Sequence, residues 1–141
     1  VSGIVEPLKA LKTRLTAASP GAAVPTASVA WPGINFTPTA GVRWYRATLI
    51  PGIPTTPEIS TTARNRHVGI FQIDVFDPIG LGDGPAIEEG ERIVSCFKRG
   101  TVLTESGVNV VVQKASVMTP IEEDSWYHVP VRIQFRADIA N

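Results

Sequence analysis

Side chains able to do chemistry are few in this sequence, and they are scattered. Histidine occurs only at His67 and His128, and cysteine only at Cys96. A structural zinc site takes four Cys or His ligands, with partners a few residues apart on one element. Neither histidine has such a neighbour. Both fall in stretches that read as strands, so structural or surface roles are expected for them. Cys96 borders the apolar stripe of a predicted helix and reads as a small packing residue rather than a reactive thiol. A lone cysteine forms no internal disulfide and fits a reducing, cytosolic compartment. Asp74, Asp77 and Asp83 place three carboxylates close together, but not at the spacing of an EF-hand loop. Turn and cap chemistry accounts for Asp77 and Asp83. The run Gly80-Leu81-Gly82-Asp83-Gly84-Pro85 follows a strand and opens a helix, as phosphate loops do. It lacks both the Gly-Lys-Ser/Thr ending and the dinucleotide fingerprint, and Pro85 removes a donor. It reads as a strand-to-helix turn. No nucleophile elbow or similar signature occurs. No catalytic, cofactor-binding or metal-ligating residue is therefore assigned, and no cofactor is expected.

Two groups suit contact rather than catalysis. Arg64, Arg66 and His67 form the one local basic cluster, at the start of a strand. They read as a solvated strand end or as a contact for DNA or a partner. Trp31, Trp44 and Trp126 lie in or beside short strands. They read as core packing or as subunit contacts.

The composition suits a single globular domain over residues 1–141. The chain is 43% hydrophobic and 18% charged, and 13 basic residues balance 13 acidic ones. A zero net charge gives no electrostatic reason to expect nucleic-acid or membrane-surface binding. No apolar run approaches the roughly 18 residues of a membrane span, and no signal-peptide pattern opens the chain.

These residues must be positioned by a short list of elements. Ile4, Leu8, Leu11 and Leu15 recur at helical spacing, so a helix starts near Glu6 and stops at Ser19-Pro20-Gly21. A short strand is expected at 28–31, then an irregular connection through Asn35-Phe36-Thr37-Pro38. A strand over 43–50 ends at Pro51-Gly52. Residues 52–66 read as an exposed loop, and 67–76 as a strand covered partly on both faces. Pro85 suits the first turn of a second helix, with Asp83 or Gly84 as its cap. Ala86, Gly90, Ile93 and Phe97 form its apolar stripe, Glu88 and Arg92 its i,i+4 pair, and Gly100 its stop. Strands follow at 108–118 and 127–137. The second alternates cleanly, and its Pro130 favours an edge or a place near the strand's start. The expected fold class is α+β: a mainly antiparallel sheet of about four or five strands, with two helices packed on one face.

Several stretches carry a family resemblance. They are Trp31-Pro32-Gly33-Ile34-Asn35-Phe36-Thr37-Pro38, Trp44-Tyr45-Arg46-Ala47, Leu49-Ile50-Pro51, and the run Arg66 to Val75. Gly80, Gly82, the helix from Ala86, Phe97-Lys98-Arg99-Gly100-Thr101, and Val129 to Ala137 complete the set. Together they resemble the tail terminator-like proteins of tailed bacteriophages, and the plan is similar to the terminator of lambda-like siphophages. The resemblance spans nearly the whole chain and describes a fold, not a reactive site. It implies a non-enzymatic subunit of a homo-oligomeric, hexameric ring at the head-proximal end of the tail tube. Such a ring stops tube polymerisation and offers a head-joining surface. The implied partners are further copies of the chain, the tail tube protein and a head-completion or connector protein. DNA passes through the lumen unread, and no membrane is involved. The implied location is the virion, after assembly in the host cytoplasm. A head-side completion or connector protein of the neck is the alternative. Arg64, Arg66, Trp31, Phe36 and Trp44 are the candidate assembly contacts.

Overall fold

The computed structural model describes residues 5–53, 64–123 and 125–140, with Arg64 and Ala140 as backbone. Helix α1 (Val5–Thr16) comes first, with Leu11 and Leu15 fully buried. A single 3-10 turn, Thr26–Ser28, leads into β1 (Val29–Ala30). Then follow β2 (Trp44–Pro51), β3 (Arg64–Pro78) and α2 (Gly84–Cys96). The chain closes with β4 (Val102–Glu105), β5 (Val108–Val117), β6 (Ile121–Glu123) and β7 (Trp126–Ala140).

All seven strands form one sheet in the order β1-β2-β3-β7-β5-β4, with β6 paired to β7. Every pairing is antiparallel except β1 with β2. The expected α+β class with a mainly antiparallel sheet is what forms. Two short strands, β4 and β6, bring the count above four or five. The two longest strands are longer than their sequence patterns suggest because they pair with each other along their whole length, from Arg64↔Ala140 to Pro78↔Trp126. Arg64, Asn65 and Arg66 therefore belong to β3 and not to a loop. The rest of the anticipated loop, residues 54–63, lies outside the described residues.

Period-two alternation sets the core. Phe71, Ile73 and Val75 of β3 and Val129, Val131, Ile133 and Phe135 of β7 are fully buried, and they point to the same side as Val110 and Val112 of β5. Burying one such side chain contributes about 1.5–3 kcal/mol. Both helices cover this face. The α2 stripe of Ala86, Gly90, Ile93 and Phe97 is buried as its spacing predicts. Gly90 is needed there: a Cβ would stand 3.3–3.4 Å from methyls of Val117, Val129 and Val131. The missing side chain lets the helix lie close on the sheet.

Pro130 sits in a central strand without harm. The partner of β7 is β6 at residues 126–128 and β5 from Val131 onward. Pro130 falls in the gap between them, where its missing N–H costs no ladder bond. Its carbonyl still accepts from the Met118 N–H at 2.8 Å.

Candidate assembly surface

Two polar clusters lie on opposite faces of the sheet. The first lies between β2, β3 and α2, with its carboxylates and phenol buried and its arginines partly exposed. The Tyr45 hydroxyl donates to Glu89 Oε2 at 2.5 Å, and Arg92 Nε and Nη2 donate to the same carboxylate at 2.7 and 2.8 Å. Arg92 Nη1 also donates to the Ala22 carbonyl, tying down the chain after α1. Beside it, Arg43 forks onto Asp77 and donates to the Pro85 carbonyl at 3.2 Å. Burial raises the Glu89 carboxyl, but the hydrogen bonds from Arg92 and Tyr45 outweigh it and hold the group below its ordinary range. Desolvation, then Glu89, pushes the Tyr45 phenol well above its usual value. This cluster corrects two expectations. Asp77 is neither turn nor cap but the buried partner of Arg43. Arg92 pairs with Glu89 at i,i+3 and not with Glu88, because Glu89 is the acid facing the sheet. Asp83 takes the cap position of α2, without a side-chain capping bond.

The second cluster stands on the outer face, away from the helices. Trp44 stacks on Phe76, ring centroids 4.0 Å apart, and Phe76 stacks on His128 at 4.4 Å. Phe36 and Trp126 lean on Trp44 at 5.5 and 5.8 Å. Next to the rings, Asp74 is buried, with His128 Nε2 at 2.7 Å, Gln72 Nε2 at 2.9 Å and Arg46 Nη2 at 3.2 Å. The Arg46 guanidinium also lies 5.1 Å over the Phe76 ring. Arg132 donates to Gln72 at 3.1 Å and extends the network across the sheet. Burial raises the Asp74 carboxyl, but His128, Gln72 and Arg46 together bring it below its usual range.

The candidate contacts separate into three places. Phe36 and Trp44 meet in the aromatic cluster. Trp31 lies elsewhere, packed against the core with Lys12 of α1 5.1 Å over its ring. Arg66 stands at the other end of the sheet, paired with its cross-strand neighbour Asp138 at 3.0 Å. The Arg64 backbone pairs with Ala140. Sequence reasoning missed Arg46, Asp74, Gln72, His128 and Arg132 as one group. Their even numbering on each strand places them on one face, but the strand register that joins them is not written locally.

Among the described residues, no three His, Cys, Asp or Glu side chains gather as metal ligands, and no helix is long and apolar enough to cross a membrane. Cys96 is half-buried beside the core.

Ten solved chains match this one. One of them is 26% identical and superposes with a TM-score of 0.70, covering 99% of this chain and 96% of its own. Another comes from the virion of a native gene transfer agent particle. It is 19% identical with a TM-score of 0.52, covers 94% of this chain and 93% of its own, and shares the fold. No curated protein matches the chain. The profile that describes phage tail terminator proteins matches residues 8–135, which takes in most of α1, the whole of α2 and most of the sheet, and the chain belongs to that family of virion structural proteins.

Proposed function

We propose that this chain forms a homo-oligomeric, hexameric ring that caps the tail tube, ends its polymerisation and presents the surface to which the head is joined. The observation that carries the reading is the family match over residues 8–135. The structure adds physical support. A cap needs a rigid body and two different ends, and it needs no reaction. The sheet supplies the rigidity through β3 and β7, paired over fifteen residues each. The outer face supplies half-buried aromatic side chains and arginines, the residue types enriched in protein interfaces. Further copies of the chain, the tube protein and a head-completion protein are the partners, and DNA passes through the lumen without base contacts. The ring stands at the head-proximal end of the tail.

Deletion of the gene tests this. Filled heads and unjoined tails of abnormal length are expected in electron micrographs of the lysate. Normal-length, finished tails beside heads that fail to retain DNA would overturn the terminator role and favour a head-side connector.

A further inference from the structure

The outer face of the sheet carries cations that its own acids leave unanswered. Lys114 and Arg132 are exposed and Arg136 is half-buried. All three point away from the helices. Arg132 and Arg136 alternate with the buried Val131, Ile133 and Phe135, and Lys114 is the cross-strand partner of Gln134 between them. Lys114 therefore stands diagonal to both arginines, about 7–8 Å from each. Arg132 donates to Gln72, a neutral acceptor. Among the described residues, no acid forms an ion pair with any of the three. The acids of this face are engaged elsewhere. Asp74 is buried among Arg46, Gln72 and His128, Asp138 pairs with Arg66, and Glu123 lies beside His128 at the aromatic end.

The solvent side of α2 carries the opposite sign. Glu88 and Glu91 are exposed, and their spacing makes them neighbours on one face. Among the described residues, neither has an ion-pair partner. Arg92 is engaged by Glu89, and Lys98 and Arg99 lie past the end of the helix. Ile87 and Val94, both half-buried, flank Glu91 at i−4 and i+3. The sheet has a matching apolar strip, since Ile50, Val68, Ile70 and Gln134 line a groove beside the cations. Val68 is the cross-strand neighbour of Arg136, and Ile70 that of Gln134. Each surface sets free charge beside partly covered apolar side chains, with the signs reversed.

We infer that neighbouring copies in the ring meet head to tail, α2 of one copy lying on the outer sheet face of the next, with Glu88 and Glu91 against Lys114, Arg132 and Arg136. This rests on the ring reading above. The two patches stand on opposite sides of the molecule, because α2 packs on the inner face of the sheet at Val117, Val129 and Val131. A contact between unlike patches leaves one of each free on every pair, so copies add until a ring closes, whereas a two-fold contact stops at two. Opposite charges fix the register of such a contact and suppress wrong pairings, and the apolar strips supply the burial. The helices cover one face of the sheet, and the neighbouring copy covers the other.

Two purified charge-reversed variants test the contact. One is Lys114→Glu with Arg132→Glu; the other is Glu88→Lys with Glu91→Lys. All four positions are exposed, and circular dichroism with thermal melting checks that both variants fold. Each is added to uncapped tail tubes from a lysate lacking the gene, and the copies that sediment with the tubes are counted. Each variant alone is expected to lose about tenfold or more, because its two patches then carry the same sign. The first variant is acidic on both patches and the second basic on both, so an equal mixture can alternate around a hexamer. The mixture is expected to restore binding, with equal numbers of the two variants on each tube. Should either fail to fold, the single changes Lys114→Glu and Glu91→Lys are compared alone and mixed in the same way. Full binding by either variant alone would overturn the contact. Loss that mixing does not repair would overturn it too, and would assign the patches to the tube or the head. Failure of the unaltered protein to form rings on the tubes would overturn the ring reading, and this inference with it.

Discussion

On its helix side the sheet is closed by α1 and α2, and the residues beneath them are Phe71, Ile73, Val131, Ile133 and Phe135, all without measurable exposure. On its outer side the strands cover themselves. Trp44, Phe76 and His128 stack on one another, and Arg46, Gln72 and His128 close over the carboxylate of Asp74. The first arrangement removes apolar surface from water for good. The second leaves Trp44, Phe36 and Trp126 half-buried, with surface still to bury on contact. A face built in this second way can be soluble in a free subunit and useful in an assembled one.

The largest difference between the faces is expected from truncating one ring on each. Phe135→Ala leaves a cavity under α2 and is expected to cost about 3–5 kcal/mol. Trp44→Ala removes a larger side chain, but a half-buried one that water can replace, and about 2 kcal/mol is expected. Urea denaturation of both variants measures the gap. Equal losses would mean that the outer cluster is core in all but position.

A second, intermediate effect tests the polar cluster under α2. Glu89→Ala leaves the Tyr45 hydroxyl buried without its acceptor, while Arg92, 45% exposed, turns to water. An orphaned buried donor costs about 1–3 kcal/mol, and Glu89→Gln, which can still accept, should cost less. The phenol gives a separate readout. Its folded-state value lies above the ordinary 10.0. The protein therefore keeps this contribution below pH 10 and loses it as pH rises past 10 toward the folded-state value. In Glu89→Ala the tyrosinate absorbance should appear at lower pH than in the unaltered protein. An unchanged titration would show that desolvation alone sets it.

The helix-side half was the more legible half in sequence. Its signal is local: period 3.6 in Ala86, Gly90, Ile93 and Phe97, and period two from Tyr127 to Ala137. β4 was missed because four residues, Val102–Glu105, give too short a pattern. The available signal was the Ser106-Gly107 pair, whose φ values of 50° and 80° make the tight hairpin into β5. β6 is shorter still, three residues, and exists only because β7 offers it an edge. The outer cluster was illegible for a different reason. Asp74 and His128 are 54 positions apart and meet through the offset of β3 on β7, which pairs Phe76 with His128 and puts Asp74 one rung along the same face. Trp44 and Phe36 were legible as aromatic contacts, but not as neighbours of a buried carboxylate.

The smallest predicted effect concerns that carboxylate, and it sharpens the comparison because it depends on pH. Burial alone would raise Asp74; the imidazole of His128, the Gln72 amide and Arg46 bring it below its ordinary 3.8. A carboxyl with a depressed folded-state value contributes stability that is present above pH 3.8 and is lost as pH falls toward and through the lower value. Asp74→Asn removes this linkage and keeps the shape of the side chain. It exchanges charge-assisted contacts for neutral ones, and about 1–2 kcal/mol should be lost near neutral pH. As pH falls from 3.8 through the lower folded-state value the two proteins should converge, since protonation leaves Asp74 as neutral as the asparagine. Urea midpoints measured from neutral pH down to about pH 2.5 follow this directly, with the free energy tracking bound protons. A constant offset across that range would mean that Asp74 acts by packing, and that the outer face owes its order to the aromatic stack alone.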